Sequence, residues 1–390
     1  MPVRKLAIKP TKRPGSPHQL LLVGAGYAQL YALAAMIEGE KVCPDAAWVS
    51  PSRWFYPPGL IAGVISGQYS KEQCRIDLRN LAQRAGIRFI EQTPVLLDLE
   101  NNALVLDDDT EVGYEWLSLD LGEDLTDIDI GADNLLRYET GERFLRGWKN
   151  LSESLAEKSF GKKPGAELAL VGSGPRVVEL ALAIRESQSS ASLNISLYTG
   201  QQTLLAQYPS GIRQRAVREL EQAGIKLQQT SVRLENNQLR LSDGQLLSPD
   251  GLIIVDTPAL PPWLETAGLQ MTEKGRISVD GCQRSNSHPN LIALGWISSR
   301  PRTSATHPAK VLAANGKVLS NNLLAGVAGR GLKSLPERSA GLAPIASSGG
   351  RAIGRFGPFT SCSQGNRRKQ ELIERRFIEA IIQVSKPLTD

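Results

Sequence analysis

Two short stretches carry the residue types of a phosphate cradle: Gly24-Ala25-Gly26 and Gly172-Ser173-Gly174. A dinucleotide presents a pyrophosphate. Its negative charge is held best by backbone N–H groups at the start of a helix, where the helix dipole adds to them. A side chain between backbone and phosphate stands in the way, so glycine is needed in the tight turn and again beside the phosphate. The third glycine of such a fingerprint lets the helix lie close on its strand; here Gln29 and Val177 take that place. The acidic residue expected to grip a ribose, roughly 20 residues further on, is missing from both stretches. The first reaches Ser50-Pro51-Ser52 and the second Tyr198-Thr199-Gly200. Ser50, Ser52 and Thr199 are therefore the hydroxyls placed to bond a ribose, and the residues leave open whether that ribose carries a 2′-phosphate.

Each turn falls where a strand gives way to a helix. Leu20-Leu21-Leu22-Val23 and Leu168-Ala169-Leu170-Val171 are short, uninterrupted apolar runs, as strands covered on both faces are. After the first turn Leu30, Leu33, Ala34 and Ile37 recur at helical spacing; after the second, Val178, Leu180, Leu182 and Ile184 do. Ala47-Trp48-Val49 and Ile195-Ser196-Leu197-Tyr198 read as the next strands. One unit of about 150 residues thus occurs twice. The polar stretch from Leu125 to Leu145 reads as the crossing between the copies. Leu291-Ile292-Ala293-Leu294-Gly295 adds one more buried strand, and a helix follows from about Pro308 to Leu324. Residues 327–366 are rich in Gly, Ser and Pro and predict two short strands. The closing helix, near Lys369 to Val384, carries Leu372, Ile373, Phe377, Ile381 and Ile382 on one side. The predicted fold is α/β, with two Rossmann-like dinucleotide-binding domains of the three-layer ββα type and a small C-terminal α+β segment. The expected boundaries are a basic disordered tail 1–17, a discontinuous first domain 18–145 plus 280–326, a second domain 146–279, and a C-terminal interface segment 327–390.

Length and composition agree with this. A chain of 390 residues suits two or three domains. Hydrophobic residues at 41% and charged residues at 22% are enough for an ordinary core, and aromatics at 5% make that core mainly aliphatic. The net charge of +5 gathers at the ends, in Arg4, Lys5, Lys9, Lys12 and Arg13 and in Arg367, Arg368 and Lys369. Such runs read first as solvated segments and second as attraction to an anionic membrane surface. No basic stripe interleaves with aromatics, so nucleic-acid binding is not expected. No apolar run approaches the ~20 residues of a membrane helix, and the basic, Pro-rich start is not a signal peptide. Cys43, Cys74, Cys282 and Cys362 form no Cys-x-x-Cys pair and no metal-ligand spacing. No metal site is expected, and a mechanism based on redox thiols is disfavoured. His18, His288 and His307 read as polar loop residues.

The chain resembles the FAD-dependent pyridine nucleotide oxidoreductases with two Rossmann-like domains. It is most similar to their NADH-dehydrogenase-like branch, in particular to the oxidoreductase domain found N-terminal to selenide, water dikinase. The stretches LLLVGAGYAQL, WFYPPGLIAGVISGQYS, IDLRNLAQRAGIRFI, YEWLSLDLG, LALVGSGPRVVELALAIRES, ISVDGCQRSNSHPNLIALG and RRFIEAI carry the resemblance. It implies FAD in the first copy, with Gly24, Gly26 and Ala28 facing the pyrophosphate. Tyr56, Pro57 and Pro58 would then lie near the flavin ring, and Gly122 at the end of the strand on the adenosine side. It implies NADH or NADPH in the second copy, at Gly172, Gly174 and Pro175. Glu179 corresponds to a glutamate near the nicotinamide. Asn315-Gly316 stands in the place of a Gln-Gly near the flavin and acceptor. Where the family ends its late strand on Gly-Asp, the Asp holding the ribityl chain, this chain has Gly295-Trp296. Where the family has Ala-Thr-Gly after the last strand of the second domain, it has Asp256-Thr257-Pro258. The function implied is transfer of a hydride from nicotinamide to flavin and of electrons to a quinone or other small acceptor. The alternative is a non-catalytic member that keeps the fold without tight FAD binding. A cytoplasmic protein is expected, with peripheral contact to the inner face of a membrane through the closing helix and its basic flank, and with room for a dimer.

Overall fold

The computed structural model describes residues 16–385 except 42–44, 122–133, 139–140, 160–164, 189–191, 236–237, 256–259, 301–308, 337–341 and 357–358. Residues 1–15 of the expected tail, Gly122, Asp256-Thr257-Pro258, His307 and Cys43 lie outside the described residues.

The first copy folds as β1 (His18–Val23), α1 (Tyr27–Glu38) and β2 (Ala46–Ser50). β1 runs parallel to β2, with Leu22 opposite Trp48, and on its other side parallel to β3 (Glu111–Leu119). Leu20, Leu21, Leu22 and Val23 are all buried, as a central strand requires. Between β2 and β3 lies α2 (Pro58–Ile65), begun by Pro58 at its first position, where a missing N–H breaks no helical bond. The opening of β3 also pairs antiparallel with Ala103–Leu106, which pairs with Pro94–Asp98. These strands form the third layer, opposite α1.

The second copy repeats the plan with β4 (Ala166–Val171), α3 (Pro175–Ser187) and β5 (Leu193–Tyr198). α4 (Ser210–Gln222) and β6 (Gly251–Ile254) complete it, and β4 lies parallel between β5 and β6. An antiparallel meander of Val232–Glu235, Gln238–Leu241 and Leu246–Leu247 makes its third layer. The short strand Leu135–Arg137 pairs parallel with β6. It therefore belongs to the second sheet, not to a polar crossing. The helix Glu142–Ser159 packs Phe144, Trp148, Leu151 and Leu155 into the same core. Both elements begin on the N-terminal side of the boundary expected at 145/146 and pack with the second sheet. At the far end, Leu260, Leu264, Leu269 and Ile277, placed before the boundary expected at 279/280, pack with the core that holds Leu21 and Val23 of β1.

The chain returns through β7 (Leu291–Ala293), parallel to β3, and α5 (Ala309–Val327). α5 lies close along α1: a Cβ added at Gly316 would stand 2.9 Å from the Tyr31 Cβ. The C-terminal segment forms three antiparallel strands, Ile345–Ser347, Arg351–Phe356 and Phe359–Ser363, where two were expected, and then α6 (Gln364–Ser385). α6 turns Phe377, Ile378 and Ile381 into the first domain's core. Of the apolar residues read on one side of this helix, Phe377 and Ile381 are engaged by the protein itself, while Leu372 and Ile382 stay exposed. Arg367 is likewise no solvated charge. It is buried and bonds Glu371 at 3.1 Å, the Gln370 side chain at 3.1 Å and Gln68 at 2.6 Å. No helix of the described residues is long and apolar enough to cross a membrane.

Candidate functional site

The second glycine turn opens onto a cavity of about 1030 Å³. Gly172, Gly174, Pro175 and Thr199, four of the expected site residues, line it together. Gly172 donates its N–H to the Tyr198 carbonyl (2.9 Å), and Val255 donates to Val171 (2.7 Å), which closes the turn over the ends of three parallel strands. A Cβ at Gly172 would meet the Val255 carbonyl oxygen at 2.3 Å, so the protein's own packing demands that glycine. Gly174 is different. It is the N-cap of α3, with φ −83° and ψ 178°, no side chain caps it, and a Cβ there would meet nothing within 4 Å. No contact among the described residues requires this glycine, and a side chain is absent where the start of α3 faces the cavity. Thr199 adds a buried hydroxyl oxygen with no hydrogen-bond partner among the described residues. Arg176, Arg233 and Arg240 bring positive charge to the lining, Arg240 being tied to Glu235 at 2.7 Å. The two meander arginines were missed in the sequence because only the fold carries them to the second turn. The donor set, charge and room fit a nicotinamide dinucleotide.

The first turn is built from the same parts but is closed from within. Gly24, at φ +84°, donates to Val49 (2.9 Å), and Gly26 donates to the Asp120 carbonyl (2.8 Å). The Asp120 side chain then turns under the start of α1. Its carboxylate accepts the N–H groups of Ala28 and Gln29, the latter at 2.8 Å. A Cβ at Gly26 would stand 2.0 Å from a carboxylate oxygen of Asp120, and one at Gly295 2.5 Å from the same oxygen. Gly24, Gly26, Ala28 and Gly295 therefore converge, and Asp120 lies at their centre. Burial pushes its pKa up to about 7, against the lowering effect of the two N–H donors. Gln29, in the place of the third glycine, donates to the Gly24 carbonyl (2.8 Å) and accepts from Ser118 Oγ (3.0 Å). Trp48 Nε1 donates to the same carbonyl (2.6 Å). A pyrophosphate placed on α1 must share its N–H donors with Asp120. The shape of the turn fits the dinucleotide; among the described residues, an ionised Asp120 carboxylate is the group that opposes it.

The remaining expected residues divide between two places. Ser50 is buried and its hydroxyl donates to the Ser52 carbonyl (3.0 Å), which leaves its oxygen only as an acceptor. Trp296 is half-buried, with the Arg276 guanidinium 5.6 Å from its ring. Asn315 is buried in α5 and leaves Oδ1 without a partner among the described residues. Tyr56, Pro57 and Pro58 lead into α2, which packs Ile61, Ala62 and Ile65 into one core with Val177 and Val178 of α3. This junction holds the two turns together.

Glu179 lies at the same junction but faces the C-terminal segment. Its carboxylate accepts the Ala346 N–H (2.8 Å) and the Gln370 amide (3.0 Å), and burial raises its pKa. Beside it Glu374 accepts the Tyr27 hydroxyl (2.8 Å). Burial pushes Glu374 up to about 7, and the neighbouring Glu179 charge adds to the rise. Cys74 is buried, its thiol pushed up to about 11 by that burial. None of the described cysteines lines the cavity.

The sequence matches the family described as pyridine nucleotide-disulphide oxidoreductase over residues 18–311. Among solved structures, NDH2 from Plasmodium falciparum in complex with NADH superposes with a TM-score of 0.73 at 14% identity, over 96% of this chain and 100% of that one. The sulfide:quinone oxidoreductase of Aquifex aeolicus superposes with a TM-score of 0.70 at 15% identity, over 94% of this chain and 91% of that one. NADH:rubredoxin oxidoreductase from Clostridium acetobutylicum gives a TM-score of 0.60 at 18% identity, over 87% and 81%. At these identities the likeness is one of fold. No curated protein matches the sequence.

Proposed function

The chain belongs to the pyridine nucleotide-disulphide oxidoreductase family, whose members use FAD and NAD(P)H, and from that premise we propose that it oxidises NADPH in preference to NADH and delivers the electrons to a quinone or another small acceptor. The observation that carries the reading is the cavity at the second turn, where the start of α3 is left bare by a glycine at 174 that no contact among the described residues requires. FAD, when bound, supplies the redox chemistry; position and electrostatics are the protein's part.

That part is divided among named residues. The start of α3, bare of any capping side chain, offers its N–H groups and dipole to a pyrophosphate. Thr199 offers its hydroxyl to the ribose. No carboxylate follows β5, and Arg233 and Arg240 line the same cavity, so a 2′-phosphate is favoured over a bare hydroxyl. The shared core of α2 and α3 fixes the second turn against the first and keeps water out of the junction. A small acceptor taking electrons directly agrees with the placement of the described cysteines away from the cavity. The solved structures include one whose name couples sulfide to quinone; the thiol chemistry is the part of that coupling this chain does not favour. Contact with a membrane, as a source of quinone, would fall to the outer face of α6, where Leu372 and Ile382 are exposed beside Arg368, Arg375 and Arg376.

The test is steady-state oxidation of NADPH and NADH by the FAD-loaded protein with a short-chain quinone, with ferricyanide and with no acceptor. Quinone-dependent turnover, faster with NADPH at limiting nucleotide, is the expected result. An FAD-loaded protein that oxidises neither nucleotide with any acceptor contradicts the proposal.

A further inference from the structure

We propose that Asp120 is a built-in occupant of the first turn's anion cradle, and that FAD enters only as Asp120 takes up a proton. The inference rests on the reading that the first turn holds FAD. It starts from a geometric conflict. A helix N-terminus offers few free N–H groups, and at α1 those of Ala28 and Gln29 already donate to Asp120. The close approach that Gly26 and Gly295 allow is an approach to this carboxylate: Cβ atoms there would fall 2.0 and 2.5 Å from its oxygen. An ionised carboxylate and a pyrophosphate cannot occupy the same donors, because two anions in one buried site repel strongly. A neutral carboxylic acid can stay: it keeps one oxygen as an acceptor for an N–H and donates its own O–H to a phosphate oxygen.

Among the described residues, nothing else neutralises Asp120. On α1, Tyr27 carries its hydroxyl away to Glu374, and Gln29 is occupied by Gly24 and Ser118. On β2, Trp48 donates to the Gly24 carbonyl. At the end of β7, Gly295 contributes no side chain. Burial and the two N–H donors are the only influences on Asp120 among the described residues; no cation bears on it. Its pKa, already raised to about 7 by burial, will be raised further by a neighbouring phosphate. The proton comes from solvent and ends on Asp120, so one proton is taken up per FAD bound wherever the free protein holds Asp120 ionised.

The experiment is FAD binding by the full chain between about pH 6 and about pH 9, by flavin fluorescence quenching and by calorimetry in buffers of different ionisation enthalpy. For the wild type the expected Kd rises about tenfold per pH unit above neutrality, with about one proton taken up. Asp120→Asn keeps the size and the acceptor of the side chain. It is expected to bind with a Kd that does not change over the range and is tighter than wild type at the alkaline end. Asp120→Ala should also lose the pH dependence. Wild-type binding that is independent of pH, with no proton uptake, overturns the proposal. So does weaker binding by Asp120→Asn at every pH, which would make the carboxylate a ligand-holding group in place of the aspartate that Trp296 replaces. If neither the wild type nor Asp120→Asn takes up FAD even at the acid end, the assignment of FAD to the first turn is itself wrong, and the proposal falls with it.

Discussion

Replacing Gly174 with alanine separates a ligand's demand from the protein's own. The backbone at 174 has φ −83°, open to any L residue, and the added methyl meets no atom within 4 Å. Alanine caps a helix less well than glycine, a loss of about 0.5–1 kcal/mol. It also restricts the unfolded chain, a gain of about 0.4–1 kcal/mol. The two nearly cancel, so Tm should stay within about 2 °C of wild type. The methyl does obstruct a phosphate drawn down onto the start of α3. Losing one charge-assisted hydrogen bond costs about 1.5–3 kcal/mol, so the Kd for NADPH should rise roughly 10- to 150-fold. The assay is titration of nucleotide fluorescence alongside a thermal melt of the same preparation. Gly172→Ala is the contrasting variant: its methyl would press on the Val255 carbonyl at 2.3 Å, so it should lose stability as well as binding. A Gly174→Ala protein that melts normally and binds NADPH as wild type does would refute the assignment of this turn to the pyrophosphate.

Other expectations follow from the same structure. Arg233→Ala together with Arg240→Ala should reduce the preference for NADPH by roughly 10-fold or more, seen in kcat/KM for the two nucleotides, while NADH oxidation is little changed. Glu219 is buried and ties α4 to the C-terminal sheet through Ser347 (2.9 Å) and Arg351 (3.2 Å), while Arg215 of the same helix holds it at 2.6 Å. Glu219→Ala should cost about 2–3 kcal/mol in a denaturant melt, below a fully buried pair because both arginines stay partly exposed. Burial acts to raise the Glu219 pKa, but those hydrogen bonds and charges outweigh it and hold it low. Its stabilisation should therefore be present above its unfolded pKa of about 4.3 and fade as pH falls through the lower folded value. Asp120 and Glu374 behave oppositely. Both are raised to about 7, so the FAD-free protein binds more protons folded than unfolded, and its stability should fall between about pH 4 and pH 7. Asp120→Asn should flatten part of that fall in melts followed across pH.

The two strand–turn–helix units were legible in the sequence because each is local: an apolar run, a glycine turn and a helical period lie within about 20 residues. The strand Leu135–Arg137 was not, since a three-residue strand in a polar stretch is defined by its partner β6 and not by its own pattern. Asp120 was passed over for a related reason. It ends the apolar strand of YEWLSLDLG, and nothing in that run tells that the first glycine turn will close on it; a carboxylate at the end of a buried strand was the available signal. Glu179 was read from its place near the start of α3. The groups that occupy it, Ala346 and Gln370, lie 167 and 191 residues away in sequence, beyond the reach of any local motif. The placement of Gly174 and Thr199 side by side at the second turn was legible, since it depends only on the turn and on the end of the neighbouring strand.

The most direct test of an FAD-dependent NAD(P)H oxidoreductase is the visible spectrum of the purified chain after incubation with FAD near pH 6, removal of free flavin, and anaerobic addition of NADPH and then NADH. The account predicts a retained flavin band that bleaches, at lower concentrations of NADPH than of NADH. A protein that retains no flavin, or one whose bound flavin neither nucleotide reduces, contradicts it.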